Sequence, residues 1–142
     1  MTDHTSDPTV APGLTRHAHW LLRAALASVF IFHGIDKFLG GGIAGFAQAM
    51  DLPVVIAFLV ALGELGAGIF ILLGGFVSGL LGAAITRLGA LGMIVILLGA
   101  ILMVHWGQWH FMSTPTHPMG GMQFQVTLAL MSVYMLIKGN RA

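Results

Sequence analysis

The sequence contains no cysteine and few charged residues. The absence of cysteine among its 142 residues excludes disulfides, thiol redox chemistry and thiolate-bound iron or zinc. Only 8% of the residues are Asp, Glu, Lys or Arg, whereas an ordinary soluble domain has roughly a quarter. No cluster of basic residues suggests binding to nucleic acid. We therefore expect most of the surface to face lipid and any redox chemistry to use a cofactor that is not covalently bound.

Long apolar runs make up most of what is present. Hydrophobic residues account for 57% of the chain, and the mean hydropathy is +0.93. A helix needs about 20 apolar residues to cross the hydrocarbon core. The runs predict four spans, at about residues 20–39, 53–73, 80–104 and 122–138. We expect an all-α, integral membrane four-helix bundle in one domain, residues 18–139, after a mobile polar tail at residues 1–17.

The positions of lysine and arginine predict an orientation. If the N-terminus is cytoplasmic, five of the six basic residues lie on or toward the cytoplasmic side: Arg16, Arg23, Arg87, Lys138 and Arg141. Lys37 alone lies near the other side. Because cytoplasmic ends of spans carry an excess of Lys and Arg, we expect both termini to be cytoplasmic in a multi-pass protein of the cell inner (plasma) membrane. Loops 40–52 and 105–121 would then be outside, and the first of them would be a loop or an interfacial helical turn.

Glu64 is the least expected residue of the second span. It lies 11 positions after Pro53, which places it roughly 16 Å into the membrane by helical rise. A carboxylate at that depth needs a partner or a proton. We predict Arg87, near the inner end of the third span, as the partner. In the alternative, the Arg87 side chain extends to the inner membrane interface instead.

The first span carries four further ionisable groups. Arg23 and Lys37 fall on one helical face, which we expect to point inward, and His33, Asp36 and Lys37 form a compact cluster near the outer end. A plainer alternative is an ion pair of Lys37 with Asp36, or of this cluster with another helix.

The loop that follows the third span contains histidine and methionine at irregular spacing. His105, His110 and His117 lie near Met112 and Met119. Imidazole and thioether groups suit copper, but the spacing matches no metal motif, and we predict no metal site.

Taken together, the motifs resemble those of a known family. They are Arg23 in the first span, His33-Gly34-x-x-Lys37-Phe38 at its end, Gly63-Glu64-x-Gly66 in the second, Arg87-Leu88-x-Ala90 in the third, and His105 with Gly120-Gly121-Met122-Gln123-Phe124 around the last loop. Over residues 18–139 this resembles the DoxX/DoxD family of small four-helix integral membrane proteins.

The resemblance implies a place in a membrane oxidoreductase system. Some DoxD-type members are subunits of an archaeal thiosulfate:quinone oxidoreductase. We accordingly predict a subunit of a quinone-linked system. Its catalytic residues would be Glu64, Arg87, Lys37 and His33. Its cofactor-binding residues for a quinone would be Arg23, Asp36, His105 and Gln123. At the position of Gln123, relatives commonly have glutamate.

Two other functions are left open by the sequence, as is whether the chain is an enzyme at all. The buried charges could fix helix register in a non-catalytic scaffold or accessory subunit of a larger membrane complex, or they could belong to a small transporter or proton pathway. The partners we expect are the lipid bilayer and a redox protein or larger complex. Homo-oligomerisation is left open, and nucleic acid is not expected.

Overall fold

The computed structural model describes residues 17–141, and no strand occurs in that range. The predicted all-α class is therefore confirmed for this part of the chain. The helices are α1 His19–Leu39, α2 Gly42–Ala49, α3 Val54–Phe76, α4 Gly79–Ala100 and α5 Gln123–Lys138. A π-helical turn, Ile101–His105, continues α4, and a 3₁₀ turn, Gly139–Arg141, follows α5. The predicted polar tail lies outside the described residues except for His17.

Two helices among the described residues are long and apolar enough to cross a membrane. They are α3, and α4 together with its π turn, each with a mean hydropathy of 2.4. Helices α1 and α2 meet the same criteria only as a pair, which is bent by 104° at the glycines between them. Helix α5 has 16 residues and spans about 24 Å, which is less than the roughly 30 Å of the hydrocarbon core.

The sharp bend between α1 and α2 depends on glycine. Helix α1 ends where the Gly40 N–H donates to the Asp36 carbonyl, and Gly42 then adopts a φ of +72°, which side-chain-bearing residues rarely tolerate. Helix α2 therefore turns away from the axis of α1 and packs against α3. The segment predicted as a loop or an interfacial turn is a short helix of eight residues.

Glycine also sets the close approach of α3 and α4. A Cβ atom added at Gly89 would lie 2.9 Å from the Ala67 carbonyl oxygen, and one added at Gly74 would lie 2.8 Å from the Thr86 nitrogen. Because lipid supplies no hydrophobic force between helices, helices associate through close packing. Small residues such as these glycines allow the two backbones to come into contact. Polar atoms on the two helices can consequently reach one another.

Side chains from α1, α3, α4 and α5 meet in one core. The buried members of this core are Leu26, Phe30, Ala67, Ile71, Ala90, Met93, Leu97, Leu128 and Met135. The outer faces of the same helices carry large exposed apolar side chains, such as Leu80 (88% exposed) and Phe76 (76% exposed). A surface of this kind is compatible with lipid and not with water.

Candidate functional site

A buried ion pair joins α1 to the middle of α3. The Lys37 Nζ atom lies 2.7 Å from Oε2 and 2.9 Å from Oε1 of Glu64. The ring of Phe46, on α2, covers the ammonium group, with its centroid 4.8 Å from Nζ. The side chains of Lys37 and Glu64 stay 14% and 10% exposed. This Lys37–Glu64 pair is therefore enclosed by three helices but is not fully sealed.

The predicted pairing of Glu64 with Arg87 is wrong. Arg87 donates from Nε to the Leu136 carbonyl (3.2 Å) and from Nη2 to the Ile137 carbonyl (3.4 Å), both near the end of α5. Gly63, the chain neighbour of Glu64, lies opposite Ile96 of α4. Counted along α4 from Ile96 to Arg87, the helical rise separates Arg87 from the level of Glu64 by about 13 Å. Arg87 also points toward a different helix.

The three titratable groups at the end of α1 have different environments. His33 and Asp36 are exposed, and Asp36 makes no ion pair within residues 17–141. Lys37 turns inward and pairs with another helix, which was one of the two plainer alternatives. The Lys37 Nζ atom also lies 3.5 Å from the His33 carbonyl. The cluster therefore consists of one partly buried cation with two exposed neighbours one helical turn or less away.

A second polar site lies toward the other ends of the same helices and centres on Arg23. Its guanidinium is fully buried and donates from Nη1 to the Ile71 carbonyl (2.5 Å) and the Thr86 hydroxyl (3.0 Å). From Nη2 it donates to the Asn140 side-chain oxygen (2.9 Å) and, at 3.5 Å, to the Gly139 carbonyl. We call this set the Arg23 network.

Neutral groups make all the hydrogen bonds of the Arg23 network. The Thr86 hydroxyl also donates to Asn140 Oδ1 (2.9 Å), and the Asn140 amide donates to the Val77 carbonyl (2.6 Å). The Trp20 ring covers the guanidinium at 5.9 Å. Within residues 17–141 no carboxylate contacts Arg23. Arg23 and Lys37 both point toward α3, as their shared helical face predicts.

His105 is the third buried polar centre. Its Nδ1 lies 2.8 Å from the Gly120 carbonyl and therefore carries the proton, which leaves Nε2 to accept a hydrogen bond from the Gln125 amide at 2.8 Å. The predicted Gln123 is exposed and makes no side-chain contact with His105. Gln125, which makes that contact, lies about 200° around the helix from Gln123. The sequence does indicate that Gln125 points inward, because it precedes the buried positions Leu128, Ser132 and Met135 at helical spacing.

The loop after His105 is held by its own hydrogen bonds. The Gln108 amide donates to the carbonyls of His110 (3.0 Å) and Met112 (2.6 Å), and its oxygen accepts from the Thr114 hydroxyl (2.6 Å). Across residues 17–141 no three His, Asp or Glu side chains approach closely enough to hold a metal ion.

Two open apolar grooves run along the helices. One, of about 420 Å³, lies between α3 and α4 and includes Gly63, Gly92 and Ile96; the other, of about 490 Å³, lies between α1 and α3 and includes Ala27 and Phe32. Glu64 and Lys37 line neither groove, although Gly63 is the chain neighbour of Glu64.

Apolar helices that satisfy their polar groups internally define a helical membrane protein. A family model described as DoxX matches residues 18–106, which is more than half of the chain. The chain belongs to the DoxX family, as the motifs predicted. The matched segment includes Arg23, the Lys37–Glu64 pair and His105, and it ends before α5. A search of curated proteins and a search of solved structures found no match.

Proposed function

We propose that this DoxX-family membrane protein is a subunit of a quinone-linked oxidoreductase system. In this proposal the Lys37–Glu64 pair binds a quinone head group and exchanges protons with it. The observation that supports the proposal is the position of the pair: a cation and a carboxylate in contact at the middle of a lipid-embedded helix, under an aromatic ring and still slightly exposed. Ionisable groups kept at such depth are candidates for function.

The chemistry of a quinone suits these groups. Reduction of a quinone adds electrons and protons to its carbonyl oxygens, so it requires hydrogen-bond donors next to an apolar surface. The Lys37 ammonium would donate to a carbonyl oxygen, and Glu64 would hold the proton to be transferred. The exposed His33 and Asp36 lie within about one helical turn of Lys37 along α1 and would pass protons to the pair. Electrons would come from a partner protein or a larger membrane complex.

The other predicted site residues have no part in this proposal. Arg87 contacts the end of α5, Arg23 belongs to its own network, His105 is bonded to Gly120 and Gln125, and Gln123 is exposed. Each of the first three already has a partner within the chain. The proposed head-group site is therefore limited to the region around α2 and the segments of α1 and α3 that it covers.

We also propose a four-helix bundle with four spans, in the domain at residues 18–139, with both termini cytoplasmic. Arg23, Arg87 and Lys138 lie at one end of the helices, while the described carboxylates lie in the other half. The excess of positive charge on the cytoplasmic side of membrane proteins supports placing that basic end inside. Helix α5 would then cross with some local thinning of the bilayer.

A photoreactive azidoquinone would test the proposed site. Labelled protein in lipid nanodiscs would be digested and the modified peptides identified by mass spectrometry. We expect modification within residues 33–64, and a several-fold loss in Glu64→Gln. Asp51→Asn, which removes an exposed carboxylate from the α2–α3 connection, is the matched control. Modification confined to other segments, or equal in all variants, would contradict the proposal.

A non-catalytic accessory subunit is the second candidate. The observation in its favour is that Lys37, Glu64 and Arg23 all have partners within the chain, as buried groups that set helix register would. Quinol formation by the intact complex separates the two functions. Unchanged activity in a folded Lys37→Met, Glu64→Gln double variant supports the accessory role, whereas lost activity supports the quinone site.

A further inference from the structure

Apart from Lys37, the charged side chains of the described residues are segregated, with cations toward one end of the molecule and carboxylates in the remainder. Arg23, Arg87 and Lys138 lie toward the end where α1 and α4 begin and α5 terminates. The three described carboxylates, Asp36, Asp51 and Glu64, lie on the last turn of α1, in the α2–α3 connection and at the middle of α3. The basic end consequently has no acidic side chain within residues 17–141.

Two of these cations belong to adjoining turns of α4 and α5 at the surface. The Arg87 guanidinium is oriented by its bonds to the Leu136 and Ile137 carbonyls, and the next residue along α5 is Lys138. Both cationic side chains are exposed. The Nη1 group of Arg87 has no partner among the described residues and can donate outward. A guanidinium held in place, with a lysine on the adjoining helical turn, is suited to binding a phosphate.

The surroundings of Arg87 are apolar. It lies eight residues after Gly79, about 12 Å along α4 by helical rise. Toward the start of α4 the surface carries Leu80 and Leu81, which are 88% and 65% exposed, and immediately after Arg87 comes Leu88, which is 57% exposed. Along α4 the guanidinium is therefore flanked on both sides by exposed apolar side chains. A ligand for it must bring negative charge and tolerate apolar neighbours.

We propose that Arg87 and Lys138 bind the phosphate of an anionic phospholipid at the lipid-facing junction of α4 and α5. The lipid chains would lie against Leu88 and Ile137, which are 57% and 69% exposed. The buried cation Arg23, which no described carboxylate neutralises, adds to the positive potential from the protein interior. This lipid site is independent of the proposed quinone function.

Native mass spectrometry in mixed detergent micelles would test this site on the full chain. Dioleoyl phosphatidylglycerol and dioleoyl phosphatidylcholine are added in equal amounts. Two cations near a membrane surface contribute about 1 kcal/mol each, so we expect a roughly 30-fold preference for the anionic lipid. An Arg87→Gln, Lys138→Gln variant should lose most of it. The charge-preserving Arg87→Lys, Lys138→Arg variant should keep a large part.

Several outcomes would overturn the proposal. One is equal retention of the two lipids by the unmodified chain, which requires no variant to fold. Another is an unchanged preference in the glutamine variant. Competition by excess inorganic phosphate that abolishes lipid retention would indicate a free-anion site instead of a lipid site.

Discussion

The Arg23 network and the Lys37–Glu64 pair place one cation each from α1 against α3, but they satisfy those cations in different ways. Arg23 is fully buried and is bonded only to neutral oxygens, which come from α3, α4 and the turn after α5. Lys37 has one carboxylate partner and keeps some exposure. The first arrangement uses many acceptors to fix several helices together. The second is a contact between two residues that joins α1 to α3 alone.

The largest effect that this comparison predicts is for Arg23→Met. It removes a charged donor from four acceptors, and we expect a loss of about 3 kcal/mol in the free energy of unfolding. The measurement is thermal unfolding in detergent micelles. Arg23→Lys should lose less, because it keeps the charge but reaches fewer acceptors. A stability equal to that of the unmodified chain would mean that the network does not hold the helices together.

A second prediction disturbs the same network without touching a charge. In Gly74→Ala the added methyl group would collide with the Thr86 hydroxyl and backbone, displacing one acceptor of Arg23 and separating α3 from α4. We expect a loss of about 2 kcal/mol. Gly66→Ala is the matched control on the same helix, because no atom lies within 4 Å of its added Cβ. Equal effects of the two substitutions in thermal unfolding would contradict the packing argument.

The Lys37–Glu64 pair should give a smaller and reciprocal effect. Lys37→Met and Glu64→Gln each leave one group without its partner, and we expect each to cost about 1–2 kcal/mol after allowing for the partial exposure. The double variant should recover part of that loss, as coupled residues do. A double-mutant cycle by chemical unfolding measures the coupling, and strictly additive losses would show that the ion pair contributes nothing.

Asp36→Asn should have the smallest effect. Its carboxylate is exposed and forms no ion pair with the described residues, so we expect a change within about 0.5 kcal/mol in the same unfolding assay. A loss as large as that of Glu64→Gln would mean that the exposed cluster and the buried pair form one electrostatic unit.

The sequence predicted the helices well because apolar length and glycine positions are local properties. It did not predict the partner of Glu64, because depths counted from the ends of spans assume that the spans begin at the same level. In the structure α1 ends opposite the middle of α3, which places Lys37 next to Glu64. The contact of Gln125 with His105 was not predicted for a different reason, since the helical face and not the sequence position decides which amide meets His105.

The contacts of Arg23 could not be predicted, because they depend on long-range packing. The network requires Thr86 and Asn140, which are 63 and 117 positions away along the chain. Neither residue type is distinctive in a membrane helix or a terminal turn. Only the register of α1, α3 and α4, set by close backbone contacts, brings their oxygens to the guanidinium.

The separation of Arg23 from Asn140 has a consequence for biogenesis. A chain that is synthesised from its N-terminus inserts Arg23 early, whereas the oxygens of Gly139 and Asn140 become available only after α5 has been made. During translation the guanidinium must keep water or lipid headgroups as temporary partners. Closure of the Arg23 network therefore has to wait until α5 and the turn after it have been made.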